Sequence, residues 1–121
     1  QVLYHPYKDQ SGLLEYCRRT DSSLTAYSPL ARGAVLSDDL LVEIGEEYDK
    51  SPAQVALRWL VQQDGVIAIP KASSREHLAA NLAVFDFSLS DREMARIDAH
   101  TGGFKIRLTN RLPSVVRRIP F

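Results

Sequence analysis

Three short β-prone runs, VLY at 2–4, LTAY at 24–27 and VIAI at 66–69, are separated by stretches long enough for helices, and this spacing constrains the fold more than any other feature. Strands joined by helical crossovers lie parallel rather than antiparallel. The run at 66–69 is wholly apolar, the pattern of a strand buried on both faces of a parallel sheet. Pro6, Pro29 and Pro70 follow the three runs closely and stop each from continuing.

The intervening segments carry helix signals. Leu13, Leu14 and Cys17 recur at helical spacing over 10–19, with Arg18 and Arg19 in the last turn, where cations suit the dipole. Ser37 before Asp38 and Asp39 reads as a helix start, followed by Leu40, Leu41, Ile44 and Tyr48 on one face. Ser51-Pro52 with Gln54 is a capping box, opening a helix that turns Val55, Ala56, Trp59 and Leu60 inward and stops at Asp64-Gly65. Ser73 with Glu76 reads as a second box, leading through Leu78 and Leu82, and Ser90 with Glu93 as a third, leading through Met94 and Ile97 to Gly102 and Gly103. The predicted order is β-α-β-α-α-β-α-α, an α/β fold.

A three-stranded parallel sheet leaves open edges, and a run such as VIAI calls for neighbours on both sides, so the chain is expected to be part of a larger sheet. It opens at Gln1 directly on a strand, which points the same way. Residues 1–104 carry ten bases against fifteen acids, whereas 105–121 carry five bases and no acid. That second stretch, punctuated by Pro113 and Pro120, is expected to be a separate basic tail after the 1–104 domain. With fifteen bases balancing fifteen acids overall, no global field recruits nucleic acid or an anionic membrane. No apolar run approaches the roughly 20 residues that span a bilayer. One cysteine rules out an internal disulfide framework and a Cys-rich zinc site, and a cytoplasmic setting is the expectation.

In a parallel α/β sheet, ligands bind beyond the carboxyl ends of the strands. Three segments fall there: YHPY, AYSPLARG and IPKASSREH. Lys71, Ser73 and Ser74 gather where a strand passes into a helix N-terminus. Two readings stand for them: an anion site suited to phosphate, or a plain cap beside a solvated ammonium. In the second loop, the Tyr27 ring could stack a flat ligand while Ser28 and Arg32 hold a pyrophosphate, or Tyr27 could be core and the loop an ordinary proline turn. His5 has no carboxylate spaced to orient it, and His77 and His100 lie on helices without ligand-like partners, so no metal site is expected. Neither a Gly-rich dinucleotide fingerprint nor a P-loop occurs.

The segments QVLYHPY, LTAYSPLARG, SPAQVALRWLVQQ, VIAIPKASSREHLAANLAVFDFSLS and DREMARI, in that order over roughly residues 1–100, resemble the C-terminal half of the aldo/keto reductases. The resemblance implies the last three strands and helices of a (β/α)8 barrel, which needs on the order of 250 residues to close. It implies NADPH as cofactor, with NADH possible, and a small-molecule carbonyl substrate reduced to an alcohol. Gln1 matches the position that holds the nicotinamide carboxamide and Tyr27 the stacking ring. Ser28 and Leu30 match pyrophosphate positions, Lys71 and Ser74 contacts to the adenosine phosphate, and Asn81 a contact to adenine. The family commonly has Ser, Arg and Glu where Ala72, His77 and Ala80 stand here, and losing that Arg removes a bidentate phosphate clamp. No residue here matches the family's catalytic Tyr, Asp, Lys and His, so no catalytic residue is assigned and the missing N-terminal half of the barrel is the expected partner. The competing expectations are a non-catalytic nucleotide-binding or regulatory subunit on the same scaffold, and a helical interaction protein in which VIAIPK is no parallel strand.

Overall fold

The computed structural model describes residues 1–100, so the expected tail at 105–121 and the helix stop at Gly102 and Gly103 lie outside the described residues. Strands β1 (Val2–Leu3), β2 (Leu24–Tyr27) and β3 (Val66–Ala68) form one sheet in the order β1-β2-β3. Both pairings are parallel, with Val2 opposite Ala26, and Leu24, Thr25 and Ala26 opposite Val66, Ile67 and Ala68. The parallel β3 removes the reading as a purely helical protein. Helix α1 (Ser11–Arg19) joins β1 to β2, and α2 (Asp39–Tyr48) and α3 (Pro52–Gln62) lie between β2 and β3. Helix α4 (Arg75–Leu82) and a 3-10 turn, Ala83–Asp86, follow β3, and residues 91–100 are again helical.

The organising element is α3. Ser51 accepts from the Gln54 N–H and the Gln54 carboxamide accepts from the Ser51 N–H, which closes the expected capping box. Val55, Ala56, Trp59 and Leu60 are buried with Leu24, Ala26 and Val66 in one core. Full burial of a Val or Leu side chain contributes roughly 2 kcal/mol. The helix ends where Gly65, at φ +78, lets the chain reverse into β3. Polar side chains on α3 satisfy the last turn of α4 and the irregular backbone that follows it. Gln62 bonds both the N–H and the carbonyl of Leu89, Arg58 donates to the Val84 carbonyl, and Gln54 donates to the Ala80 carbonyl. The third capping box is also present, between Ser90 and Glu93.

Four local expectations change. Asp38, not Ser37, caps α2, accepting from the Leu40 and Leu41 N–H groups, because Ser37 closes a 3-10 segment, Ala31–Ser37, that no periodicity announces. Ser74, not Ser73, caps α4 and accepts from the His77 N–H, which leaves Glu76 one position short of a box. Leu78 and Leu82, expected to face inward, are 54% and 70% exposed, and α4 buries none of its residues. The 66–69 run, expected to be buried on both faces, is buried only at Val66; Ile67 is 50% exposed. The helices cover one sheet face, where Leu24, Ala26 and Val66 point, while alternation sends Thr25, Tyr27 and Ile67 to the other.

Three segments meet at the end of the sheet to which the strands point. The buried Asp38 carboxylate accepts from the Tyr7 hydroxyl at 2.8 Å and pairs with His100 Nε2 at 2.8 Å. His100 therefore has a carboxylate partner that spacing did not reveal. Burial pushes the Asp38 carboxyl up, but hydrogen bonds from Tyr7, the Leu41 N–H and His100 outweigh it and hold the group below the usual carboxylate range. Glu93 follows the same pattern: burial raises it, and bonds from Tyr48 and Ser90 bring it lower.

Both carboxylates being depressed in the fold, their stabilisation is complete above the unfolded carboxylate pKa of about 4 and is lost as pH falls through the folded values. Denaturant midpoints are expected to be level near neutral pH and to fall below about pH 4, less steeply in Asp38→Asn. Equal acid limbs in the two proteins would contradict this. Glycines give a second test. A Cβ on Gly45 would lie 2.3 Å from the Lys50 carbonyl oxygen, whereas one on Gly12 meets nothing within 4 Å. Gly45→Ala is expected to cost about 1–3 kcal/mol, and Gly12→Ala to stabilise by about 0.5–1 kcal/mol in urea unfolding.

Candidate functional site

Parallel pairing puts the carboxyl ends of β1, β2 and β3 side by side, so the segments after them share one end of the sheet. Tyr27 closes β2 on the face that the described helices leave uncovered and is 41% exposed. Gln1 lies two positions before Leu3, the neighbour of Tyr27, so it shares that face and is exposed. The sheet therefore brings Gln1 and Tyr27, 26 positions apart in the chain, to one surface.

Beyond Tyr27 the backbone is unusual. Ser28, Ala31 and Arg32 have φ of 48°, 49° and 54°, and Gly33 has φ 90°. Non-glycine residues in this region cost about 1 kcal/mol or more each and persist only where surroundings impose them. Buried Pro29 and Val35, with Leu30 and Ala34 packed on the core, supply part of that constraint. The result turns Ser28 and Arg32 away from the core: Ser28 is half-buried and Arg32 exposed, whereas Leu30 faces inward enough to pack.

The segment after β3 is held to β2 by the Ile69 N–H donating to the Ala26 carbonyl at 3.1 Å. It then carries exposed Lys71 and Ser73 to the N-terminus of α4. Ser74 satisfies one first-turn N–H, leaving others directed along the helix axis. Arg75, the first residue of α4, adds a cation that motif reading did not single out, while Glu76 opposes it in the same turn. Asn81 is the penultimate residue of α4, in its last turn, and is half-buried. Exposed hydroxyls, N–H groups, Lys71 and Arg75 make a donor set suited to a phosphate, and Tyr27 supplies a flat ring for a planar heterocycle. The residues present thus fit a nicotinamide dinucleotide chemically.

A groove of about 530 Å³ opens elsewhere, between α1, α3 and the 91–100 helix, lined by Tyr4, Arg18, Trp59, Gln63 and Asp98 among others. It lies on the helical side of the sheet, away from Tyr27 and Lys71. Its walls are engaged with one another: Trp59 Nε1 donates to Asp98 at 2.9 Å, and the Tyr4 hydroxyl donates to Gln63 at 2.7 Å. Burial pushes the Tyr4 phenol up to about 12 despite that bond, which leaves it a neutral donor at physiological pH. Among the described residues no cluster of His, Cys, Asp and Glu could hold a metal, and no helix is long and apolar enough to cross a membrane.

Residues 1–101 match the aldo/keto reductase family. A glyoxal reductase of Bacillus subtilis is 42% identical over 99 residues, covering 82% of this chain and 36% of the relative. Among solved structures, the thermostable aldo-keto reductase Tm1743, in complex with the inhibitor epalrestat, superposes with a TM-score of 0.77 at 38% identity, over 83% of this chain and 38% of that one. A variant of Gox0644 in complex with NADPH superposes with a TM-score of 0.79 at 33% identity, over 100% of this chain and 42% of that one. This chain spans a little over a third of the length of the curated relatives it matches, 36% and 35% for the first two. The three parallel strands are a portion of a (β/α)8 barrel, and with 1–101 matched end to end the chain belongs to the aldo/keto reductase family.

Proposed function

We propose that the protein carrying this chain reduces aldehydes or ketones to alcohols with NADPH, or NADH, and that residues 1–104 supply the cofactor grip and one wall of the pocket. The observation that carries this reading is the exposed Tyr27 ring at the end of β2, with the Ser28–Arg32 loop next in the chain and the N-terminus of α4 following the adjacent strand β3. A stacking surface and an anion site on adjacent strand ends match the two halves of a dinucleotide. Bound there, the cofactor supplies a hydride to the carbonyl carbon.

The chain's own residues then have distinct tasks. Tyr27 covers one face of the nicotinamide, and Gln1 holds its carboxamide, so that the other face points to the substrate. Ser28, Leu30 and Arg32 line the pyrophosphate. Lys71, Ser73 and Ser74 hold the adenosine phosphate with the first-turn N–H groups of α4, and Asn81 meets the adenine. No proton donor is assigned among these residues, so residues 1–121 by themselves are expected to give no turnover with NADPH and a simple aldehyde. The basic stretch 105–121 is proposed as a separate segment with no assigned role.

Lys71→Ala is expected to weaken NADPH about tenfold, the loss of one charge-assisted contact, and NADH much less. His77→Arg is expected to do the reverse, tightening NADPH severalfold by adding a planar fork at the first turn of α4. Fluorescence titration of both cofactors into the whole protein measures this. Unchanged NADPH affinity in Lys71→Ala would remove the phosphate assignment, and NADPH binding without reduction of any aldehyde or ketone would favour a non-catalytic nucleotide-binding or regulatory subunit.

A further inference from the structure

The Ser28–Ser37 segment is strained, and packing holds only part of it. Pro29 and Val35 are buried, but Arg32 and Leu36 are exposed, and three non-glycine residues keep positive φ. Its two ends are fixed differently. The first continues from β2, through the Tyr27 carbonyl, which accepts from the Tyr4 N–H at 3.4 Å. The second is Asp38, whose carboxylate is 1% exposed and takes hydrogen bonds from three separate segments.

One carboxylate oxygen, Oδ1, accepts from the Leu40 and Leu41 N–H groups and so caps α2. The other, Oδ2, faces away from α2, accepting from the Tyr7 hydroxyl and pairing with His100 Nε2, both at 2.8 Å. The same Tyr7 hydroxyl lies 3.5 Å from the Ala34 carbonyl, inside the strained segment, and the Tyr7 N–H donates to His5 Nδ1 at 3.2 Å. Tyr7 belongs to the loop after β1, Asp38 to the end of the loop after β2, and His100 to the 91–100 helix. A cap alone would need only Oδ1. The Oδ2 bonds to the phenol and the imidazole tie the carboxylate to two further segments, so the bracket does more than cap α2.

We infer that Asp38, clamped by Tyr7 and His100, is a positioning residue that holds the Ser28–Arg32 loop in its strained, cofactor-facing shape. The inference rests on the assignment of that loop to the cofactor pyrophosphate. The buried Asp38 carboxylate acts through the loop, by making the competent shape the resting one rather than one of several.

Two gentle substitutions separate this role from stability. Tyr7→Phe deletes one hydroxyl. Asp38→Asn keeps an N-cap oxygen, since Asn caps as well as Asp, but sets an amide NH2 against Tyr7 and His100. In the whole protein each is expected to raise the NADPH Kd and KM about tenfold, with kcat changed less than about twofold. The double variant is expected to be no weaker than the worse single one, because both cut one bracket. Titrating the folded fraction, with unfolding midpoints measured alongside, reads this directly. Lower midpoints with unchanged NADPH Kd in both variants would make the cluster purely structural and overturn the inference. Failure of the unsubstituted protein to bind NADPH would overturn the cofactor assignment itself, and this inference with it.

Discussion

Burial of one face of α3 against one face of the sheet is the interaction on which the described structure depends. Val55, Ala56, Trp59 and Leu60 share one buried core with Leu24, Ala26 and Val66, and Leu14, Leu41, Ile44 and Ile97 from the other helices join it. Because α3 is the helix directly before β3, its packing sets how β3 lies beside β2, and hence which strand ends are neighbours. The apolar contact is non-directional and carries most of the favourable free energy. Direction comes from the polar residues on the same helix. Gln62 acts as a substitute strand for Leu89, and Gln54 and Arg58 hold the carbonyls of Ala80 and Val84, so α4 stays in place while burying none of its own side chains.

That arrangement shows how a helix that buries none of its residues is held in place. In the proposed role the α4 N-terminus stays open to solvent so that its N–H groups, Lys71 and Arg75 can serve a ligand, and burial does not secure it at that end. It is instead secured from behind, by α3 side chains reaching the last turn and the segment beyond. The loop after β2 solves the same problem differently, with buried Pro29 and Val35 as anchors and the Tyr7–Asp38–His100 bracket at its far end. Trp59, bonded to Asp98 and stacked edge-on to Tyr4 at 5.3 Å, links the 91–100 helix to the same core.

Elements whose signals are local were legible in the residues. The capping boxes of Ser51 with Gln54 and Ser90 with Glu93 close as read, since N-cap and N3 lie within a single turn. Ser37 and Ser73 misled because the neighbouring Asp38 and Ser74 are also good caps, and the choice between adjacent caps depends on how the preceding loop arrives. Tyr7, Asp38 and His100 left no trace in spacing, being 31 and 62 positions apart. The 66–69 run departs in one respect: a continuous apolar run records what a strand would bury in a closed sheet, whereas the described helices cover one face only.

The sequence by itself determined the α/β class, the three strands, and the grouping of Tyr27, Ser28, Arg32, Lys71 and Ser74 at the strand ends. Each of these follows from periodicity, capping and turn chemistry within about a dozen residues. Only the tertiary structure decided that Gln1 and Tyr27 share a face, that the loop after Tyr27 takes positive φ at Ser28, Ala31 and Arg32, and that one buried carboxylate joins three segments. Those outcomes turn on strand register, on strain imposed by packing and on desolvation of a charge, and each is a property of distant residues brought together.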